Sequence, residues 1–274
     1  MTGPGEPPDP PPGARSRTQD VADFADLQAG LSGLASLVAG SLGLQEMLHQ
    51  VAMFAQRAIP GADGAGVTLL RIEPGGNRIE ALAASADFVK DIDHVQYSLV
   101  DEGPCITAAL ERITVRCGDL GGSDLWPHFG PRVGRLGVHS ALSLPLVVPD
   151  QLVGAINVYA RQKHVFDDRA VELGELFAAP AAVAVHNARL LTQARTLATQ
   201  LQTALTSRPV IDQAVGLLRG RTGISAEEAF ARLRTISQTE NVKVVAVAQR
   251  MVDEAVRRAR ARSQHNTTDP QSPE

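Results

Sequence analysis

The sequence predicts an α+β fold: an antiparallel sheet with flanking helices, then a long connecting helix, then an all-α three-helix module. Three observations predict it. The apolar period is helical at first, becomes strand-like near Gly66 and returns to helical near Phe166. The strand-like runs come in pairs joined by turn residues, as adjacent antiparallel strands do. Beyond Pro209, three helical segments follow one another with Gly, Ser and Asn at their boundaries.

Taken in order, residues 1–19 are rich in Pro, Gly and polar side chains, bury too little surface to offset chain entropy, and are expected to be disordered. An N-terminal helix is expected over 20–43, with Phe24, Leu27, Leu31, Leu34 and Val38 on one face, until Gly40 and Gly43 interrupt it. Leu44 to Ile59 repeats the pattern through Leu44, Leu48, Val51, Phe54 and Ala55. Gly66–Ile72 and Arg78–Ala83 read as a hairpin around Pro74-Gly-Gly-Asn77. A long irregular region follows, broken by a short helix from Ile106 to Glu111. Ala141–Val148 and Gln151–Tyr159 form a second hairpin around Pro149-Asp150.

A long helix is expected from Phe166-Asp167, bent or interrupted at Pro180 and Pro209. Within it, Leu190, Ala194, Leu197, Leu201 and Ala204 alternate in four- and three-residue steps, the spacing of a coiled-coil seam, so a homodimer is expected. Val210–Arg221 ends at Gly223, a natural left-handed cap. Ser225-Ala-Glu-Glu228 is a capping box opening a helix that buries Ala229, Leu233 and Ile236. Asn241 is suited to cap the last helix, with its stripe of Val245, Ala248, Val252 and Ala255.

Composition narrows the function. Hydrophobic residues make up 44% of the chain and aromatics 4%, too few for an aromatic platform that stacks single-stranded bases. No run of ~18 or more apolar residues offers a membrane span. The proline-rich start lacks the apolar core of a signal peptide, so a cytoplasmic protein is expected. Cys105 and Cys117 form neither a disulfide framework nor a metal motif. Charge is uneven: residues 200–262 hold eleven basic and six acidic side chains, a local +5 in a chain whose net charge is −4. A basic end on an acidic body attracts a polyanion.

Two stretches resemble known families. Asp101-Glu-Gly-Pro-Cys105, Asp119-Leu120, Leu125-Trp-Pro-His-Phe129, His139-Ser-Ala-Leu-Ser-Leu-Pro-Leu146, Leu152-Val-Gly-Ala-Ile-Asn-Val158 and Val165-Phe-Asp167 together resemble a GAF domain of the kind found in actinobacterial regulators. Arg208-Pro-Val-Ile-Asp-Gln-Ala-Val-Gly216, Ser225 to Phe230, Leu233-Arg234, Ser237-Gln238 and Asn241-x-Lys243 resemble an ANTAR domain, a three-helix RNA-binding module. The domain order expected is a GAF sensor over 44–190, a helical connector over 191–206, an ANTAR domain over 207–262 and a disordered tail over 263–274.

The ANTAR resemblance implies dimers that hold two adjacent hairpins of a nascent leader transcript and so prevent a terminator from forming. Carried over residue by residue, the RNA-binding candidates are Arg208, Gln213, Gly216, Arg219, Arg221, Arg234, Ser237, Gln238, Asn241 and Lys243. Basic side chains engage loop phosphates, amides read base edges, and Gly216 with Ala214 permits close approach. The GAF resemblance implies a pocket for a small molecule, with Asp101, Glu102, Cys105, His139 and Asn157 as candidate ligand contacts. Neither the ligand nor a cofactor follows from the sequence.

Two rival readings stand beside this one. Arg219-Gly-Arg-Thr-Gly-Ile-Ser225 could join a helix-turn-helix for DNA, but Glu227 and Glu228 would then face phosphate. Some GAF domains reduce free methionine sulfoxide through cysteines, yet the surroundings of Cys105 and Cys117 do not match that motif.

Overall fold

The computed structural model describes residues 16–38, 42–73, 76–149 and 151–266. Two compact units divide between Thr192 and Gln193.

The first unit is built on a five-stranded antiparallel sheet in the order β2-β1-β5-β4-β3. Its strands are β1 (Gly64–Glu73), β2 (Gly76–Ala84), β3 (Val115–Cys117), β4 (Ser140–Val148) and β5 (Gln151–Ala160). Both expected hairpins are present, each one or two residues longer at its ends than the apolar alternation suggested. One face of the sheet packs against α2 (Leu44–Ala58) and the beginning of α6 (Asp168–Thr222), and α1 (Arg17–Val38) packs on those helices. Leu27, Leu34, Leu48, Val51 and Ala55 are buried there with Leu173, Phe177 and Val185 of α6. The opposite face carries α3 (Asp87–His94), a π-helical segment Val95–Val100, α4 (Pro104–Glu111) and α5 (Phe129–Arg135).

Several expectations change. Helix α1 starts at Arg17, inside the stretch expected to be disordered; residues 1–15 and 267–274 lie outside the described residues. Phe24, expected on the core face, is half exposed, because Asp23 takes the buried position beside Leu27. The side chain of Val38, Gly40, and the turn residues Pro74, Gly75 and Asp150 also lie outside the described set. The region expected to be irregular holds α3, the π-helical segment, β3 and α5, whose apolar residues interleave with Gly and charged residues too densely to show a period.

Neither Pro180 nor Pro209 ends α6. Proline removes one backbone donor and crowds the preceding turn, but a helix survives where its flanking turns are held by packing. Leu173, Phe177, Ala181, Ala182 and Val185 supply that packing around Pro180, and Val210, Ile211 and Ala214 supply it after Pro209.

The second unit contains the end of α6, then α7 (Ala226–Glu240) and α8 (Val244–Asn266). Its core is Ala214, Leu233, Val247 and Ala248, flanked by Val210, Val215, Leu218, Ile236, Val244, Met251 and Val252. Helix α8 is rotated slightly from the expected stripe, since Val247 is buried alongside Ala248. Gly223 adopts φ +71 and its N–H donates to Arg219 O at 2.8 Å, closing α6.

The capping box forms in full: Glu228 N–H donates to Ser225 Oγ at 3.1 Å and Ser225 N–H to Glu228 Oε2 at 3.0 Å. Ser225→Ala removes the first of these and is expected to destabilise the three-helix unit by about 1 kcal/mol, measured as a lower midpoint in urea. An unchanged midpoint would show that the cap contributes nothing beyond helix packing.

Candidate functional site

Two places concentrate chemistry, one in each unit. In the first, the row Gly66–Asn157–Ser143 crosses β1, β5 and β4, and the row Gly64–Tyr159–Ala141 lies beside it. Residues in one cross-strand row share a face, so Asn157, Ser143 and Tyr159 point together with Thr68 toward α3 and α4. Small residues on β1 let α3 close down on the sheet. A Cβ at Gly64 would lie 2.5 Å from the Phe88 ring, and one at Gly66 would lie 3.6 Å from Asp93 Oδ2. Gly103, at φ +149, is needed for the same reason: a Cβ there would collide with Gln96 Oε1.

The result is a buried polar cluster of Thr68, Asp93, Gln96, Tyr97, Cys105, Ser143, Asn157 and Tyr159. Part of it is satisfied internally. The Tyr97 hydroxyl donates to Thr68 Oγ1 at 3.0 Å, Ser143 Oγ donates to Asn157 Oδ1 at 2.9 Å, and Cys105 N–H donates to Gln96 Oε1 at 3.3 Å. Both carboxyl oxygens of Asp93, Gln96 Nε2, Asn157 Nδ2 and the Tyr159 hydroxyl have no hydrogen-bond partner among the described residues. Burial pushes the Asp93 carboxyl up to about 7. Burial also raises Tyr97 and Tyr159, so the groups around Asp93 are neutral near pH 7 and none balances a carboxylate.

Of the five sequence candidates for this site, the structure brings Cys105 and Asn157 together in the cluster. The others stand elsewhere. Asp101 is exposed in a left-handed turn that ends the π-helical segment. Glu102 accepts backbone N–H bonds from His128 and, at 2.6 Å, from Phe129, and so anchors the start of α5. His139 stands beside Asp119, just before β4. Sequence reading missed Asp93, Gln96, Tyr97 and Tyr159. Their signal, an acid and an amide three residues apart in a helix, is too common to single out.

In the second unit the RNA-binding candidates are mostly exposed: Arg208, Gln213, Gly216, Arg219, Arg221, Arg234, Gln238, Asn241 and Lys243. They do not form one face. Arg208 and Arg219 are eleven residues apart, roughly three turns, and share one side of α6, whereas Arg221 lies across the buried stripe from them. A Cβ at Gly216 would meet nothing within 4 Å, so this glycine lies on open helix surface. Ala214, expected with Gly216 to let the helix approach RNA or another helix closely, is buried in the three-helix core, where it meets helices and not RNA. Ser237 donates its hydroxyl to Val242 O at 2.6 Å, tying the α7–α8 turn. Asn241 closes α7 rather than opening α8: at φ 52 it is left-handed, and its N–H returns to α7 carbonyls. Asparagine tolerates that conformation better than other non-glycine residues.

Comparison with known proteins places both units. The sequence model of the GAF domain matches residues 41–186, more than half of the chain. The chain belongs to the GAF domain family. Behind the GAF domain, the ANTAR domain model matches residues 199–252. Two relatives, the anaerobic nitric oxide reductase transcription regulators NorR of Vibrio vulnificus strains YJ016 and CMCP6, are 42% identical over 65 residues. That stretch is 24% of this chain and 13% of theirs, so the chain spans about an eighth of these relatives' length. Among solved structures, the GAF domain of a Coxiella burnetii phosphoenolpyruvate-protein phosphotransferase is similar at a TM-score of 0.48 and 18% identity, covering 61% of this chain and 96% of that one. Free methionine-R-sulfoxide reductase from Neisseria meningitidis is similar at a TM-score of 0.46 and 14% identity, covering 65% and 96% respectively.

Within the GAF domain, Cys105 is fully buried and burial pushes its thiol up to about 11. A nucleophilic cysteine needs its thiolate, which this environment suppresses. In the second unit, three arginines that the sequence candidates left out, Arg250 inside the ANTAR match and Arg257 and Arg258 just beyond it, line one groove with Arg221. No described helix is long and apolar enough to cross a membrane.

Proposed function

We propose that this protein is a ligand-responsive regulator that binds hairpins in nascent leader transcripts through its ANTAR domain and promotes transcription antitermination. It acts in the cytoplasm as a homodimer, in which two ANTAR domains hold two adjacent hairpins. The ANTAR match on a segment of local positive charge carries this reading. The exposure of Arg208, Arg219, Arg221, Arg234 and Lys243 supports it, because phosphate contact requires side chains open to solvent.

The GAF domain is the proposed sensor. Its ligand is a small polar molecule bound at the buried cluster, with N–H groups donating to Asp93 and acceptors receiving from the Gln96 and Asn157 amides. A bound ligand of that kind would satisfy atoms that are otherwise unpaired, and this differential contact is what lets a ligand shift a population.

A gel-shift series with a two-hairpin RNA, a scrambled-loop RNA and duplex DNA tests the reading. Arg208→Ala with Arg219→Ala, which share one side of α6 outside the α7–α8 groove, is expected to weaken all hairpins alike and to reduce the salt dependence by roughly one unit or less per arginine. Stronger binding to duplex DNA than to every RNA would overturn the proposal. The structure gives the DNA reading little support, since Glu227 is exposed and Glu228 is held in the capping box at the end of α7 that would read bases.

A further inference from the structure

The groove between α7, α8 and the last turn of α6 has a volume of about 410 Å³. Its floor is apolar: Ile236 from α7, with Val247 and Met251 one turn apart on α8. Its rim is charged. Arg250, Glu254, Arg257 and Arg258 recur at helical spacing along one side of α8, Glu240 faces them from α7, and Arg221 closes the end. Glu240 pairs with Arg250, and Glu254 pairs with Arg257 and Arg258 at 2.8 and 2.7 Å. Arg221 has no ion pair among those described. Four guanidinium groups against two carboxylates leave the groove net positive around an apolar base.

That combination suits an unstacked base better than a double helix. A duplex presents phosphates on a wide convex surface, which a concave groove of this size does not match. A splayed-out loop base has an apolar face to cover and a phosphate on each side of it, and RNA readers commonly stack such bases on guanidinium planes. A methionine thioether also packs well on an aromatic ring. An acidic peptide would match the charge but leave the floor to whatever apolar residue it carried.

We propose that this groove captures one loop base of the bound RNA, with the base over Ile236, Val247 and Met251 and its flanking phosphates on Arg221 and Arg258. The proposal rests on the RNA-binding reading above and adds the place where a base is held.

The test uses the full chain and a pool of RNA hairpins with randomised loops. A hairpin enriched by the wild-type protein is remade with an abasic residue at each loop position in turn. One position is expected to lose affinity on the order of tenfold when its base is removed. In Arg221→Ala/Arg258→Ala, both exposed substitutions, that difference between base and abasic loop should collapse toward onefold. A 4-thiouridine at that position should crosslink to a peptide containing Met251. If the variant keeps the full difference, or the crosslink falls on a peptide outside the groove, the groove is not the base site although RNA binding stands. If no hairpin is enriched over a protein-free control, the RNA reading itself fails and the groove proposal with it. Capture of an acidic peptide in preference to the enriched hairpin would likewise overturn it.

Discussion

Leu190→Asp combined with Leu197→Asp is expected to convert the proposed dimer into monomers. Along α6, Leu176, Val183, Leu190 and Leu197 stand seven residues apart, with Pro180, Asn187, Ala194 and Leu201 four residues after each. These are the alternating steps of a heptad seam, sustained through four repeats rather than the two visible from Leu190 onward. All four d-type residues are about half exposed, from 48% at Leu190 to 56% at Leu197. A helix inside a monomer has no reason to keep such a row outside its core, whereas a second copy of the helix would cover it. Asn187 then falls at an inner position, where a lone asparagine sets register at some expense of stability.

Covering a leucine contributes about 1.5–3 kcal/mol, and two leucines on each of two chains are lost in the variant. Carboxylates placed in the seam add desolvation and like-charge repulsion. Association should therefore weaken by on the order of a thousandfold or more. Sedimentation velocity at micromolar protein measures this directly. Wild-type protein that sediments as a monomer, with and without RNA, would refute the dimer.

Asp93→Asn is expected to stabilise the GAF domain above neutral pH. The folded-state value of about 7 lies above the ordinary 3.8, so the folded protein binds more protons than the unfolded chain between those limits. Stability is then fully present below about pH 4, falls as the pH rises to about 7, and is level beyond. At about 1.4 kcal/mol per pH unit, the whole fall is roughly 4 kcal/mol. Asparagine has nearly the same shape and does not ionise. The variant should match the wild type near pH 4 and melt on the order of 10 °C higher at pH 8. Parallel melting curves for the two proteins across that range would show that Asp93 already has a charge partner. A ligand that pairs with Asp93 should narrow the gap at pH 8.

Legibility from sequence followed the range of the interactions involved. The strands of both hairpins, the capping box at Ser225 and the glycine cap at Gly223 all depend on residues within a few positions of one another. Those elements could be read directly. The polar cluster could not, because its members come from β1, α3, the π-helical segment, α4, β4 and β5, and only strand register sets Asn157 beside Ser143 and Gly66. Asp101, Glu102 and His139 were reasonable candidates by type, and tertiary packing gave each a different position.

By itself, the sequence determined the alternation of helix and strand, the order of antiparallel sheet, long helix and three-helix module, and the uneven charge. These follow from local periodicity and composition, which survive in one dimension. The tertiary structure decided which apolar residues of α6 are core and which are free. Leu173 and Leu176 look alike in sequence, yet one is buried against the sheet and the other is half exposed. It also decided that Asp93 is buried without a hydrogen-bond partner among the described residues and that Arg221 shares a groove with Arg250, Arg257 and Arg258. Burial and juxtaposition are properties of packed surfaces, and a residue's type and spacing limit them without choosing among them.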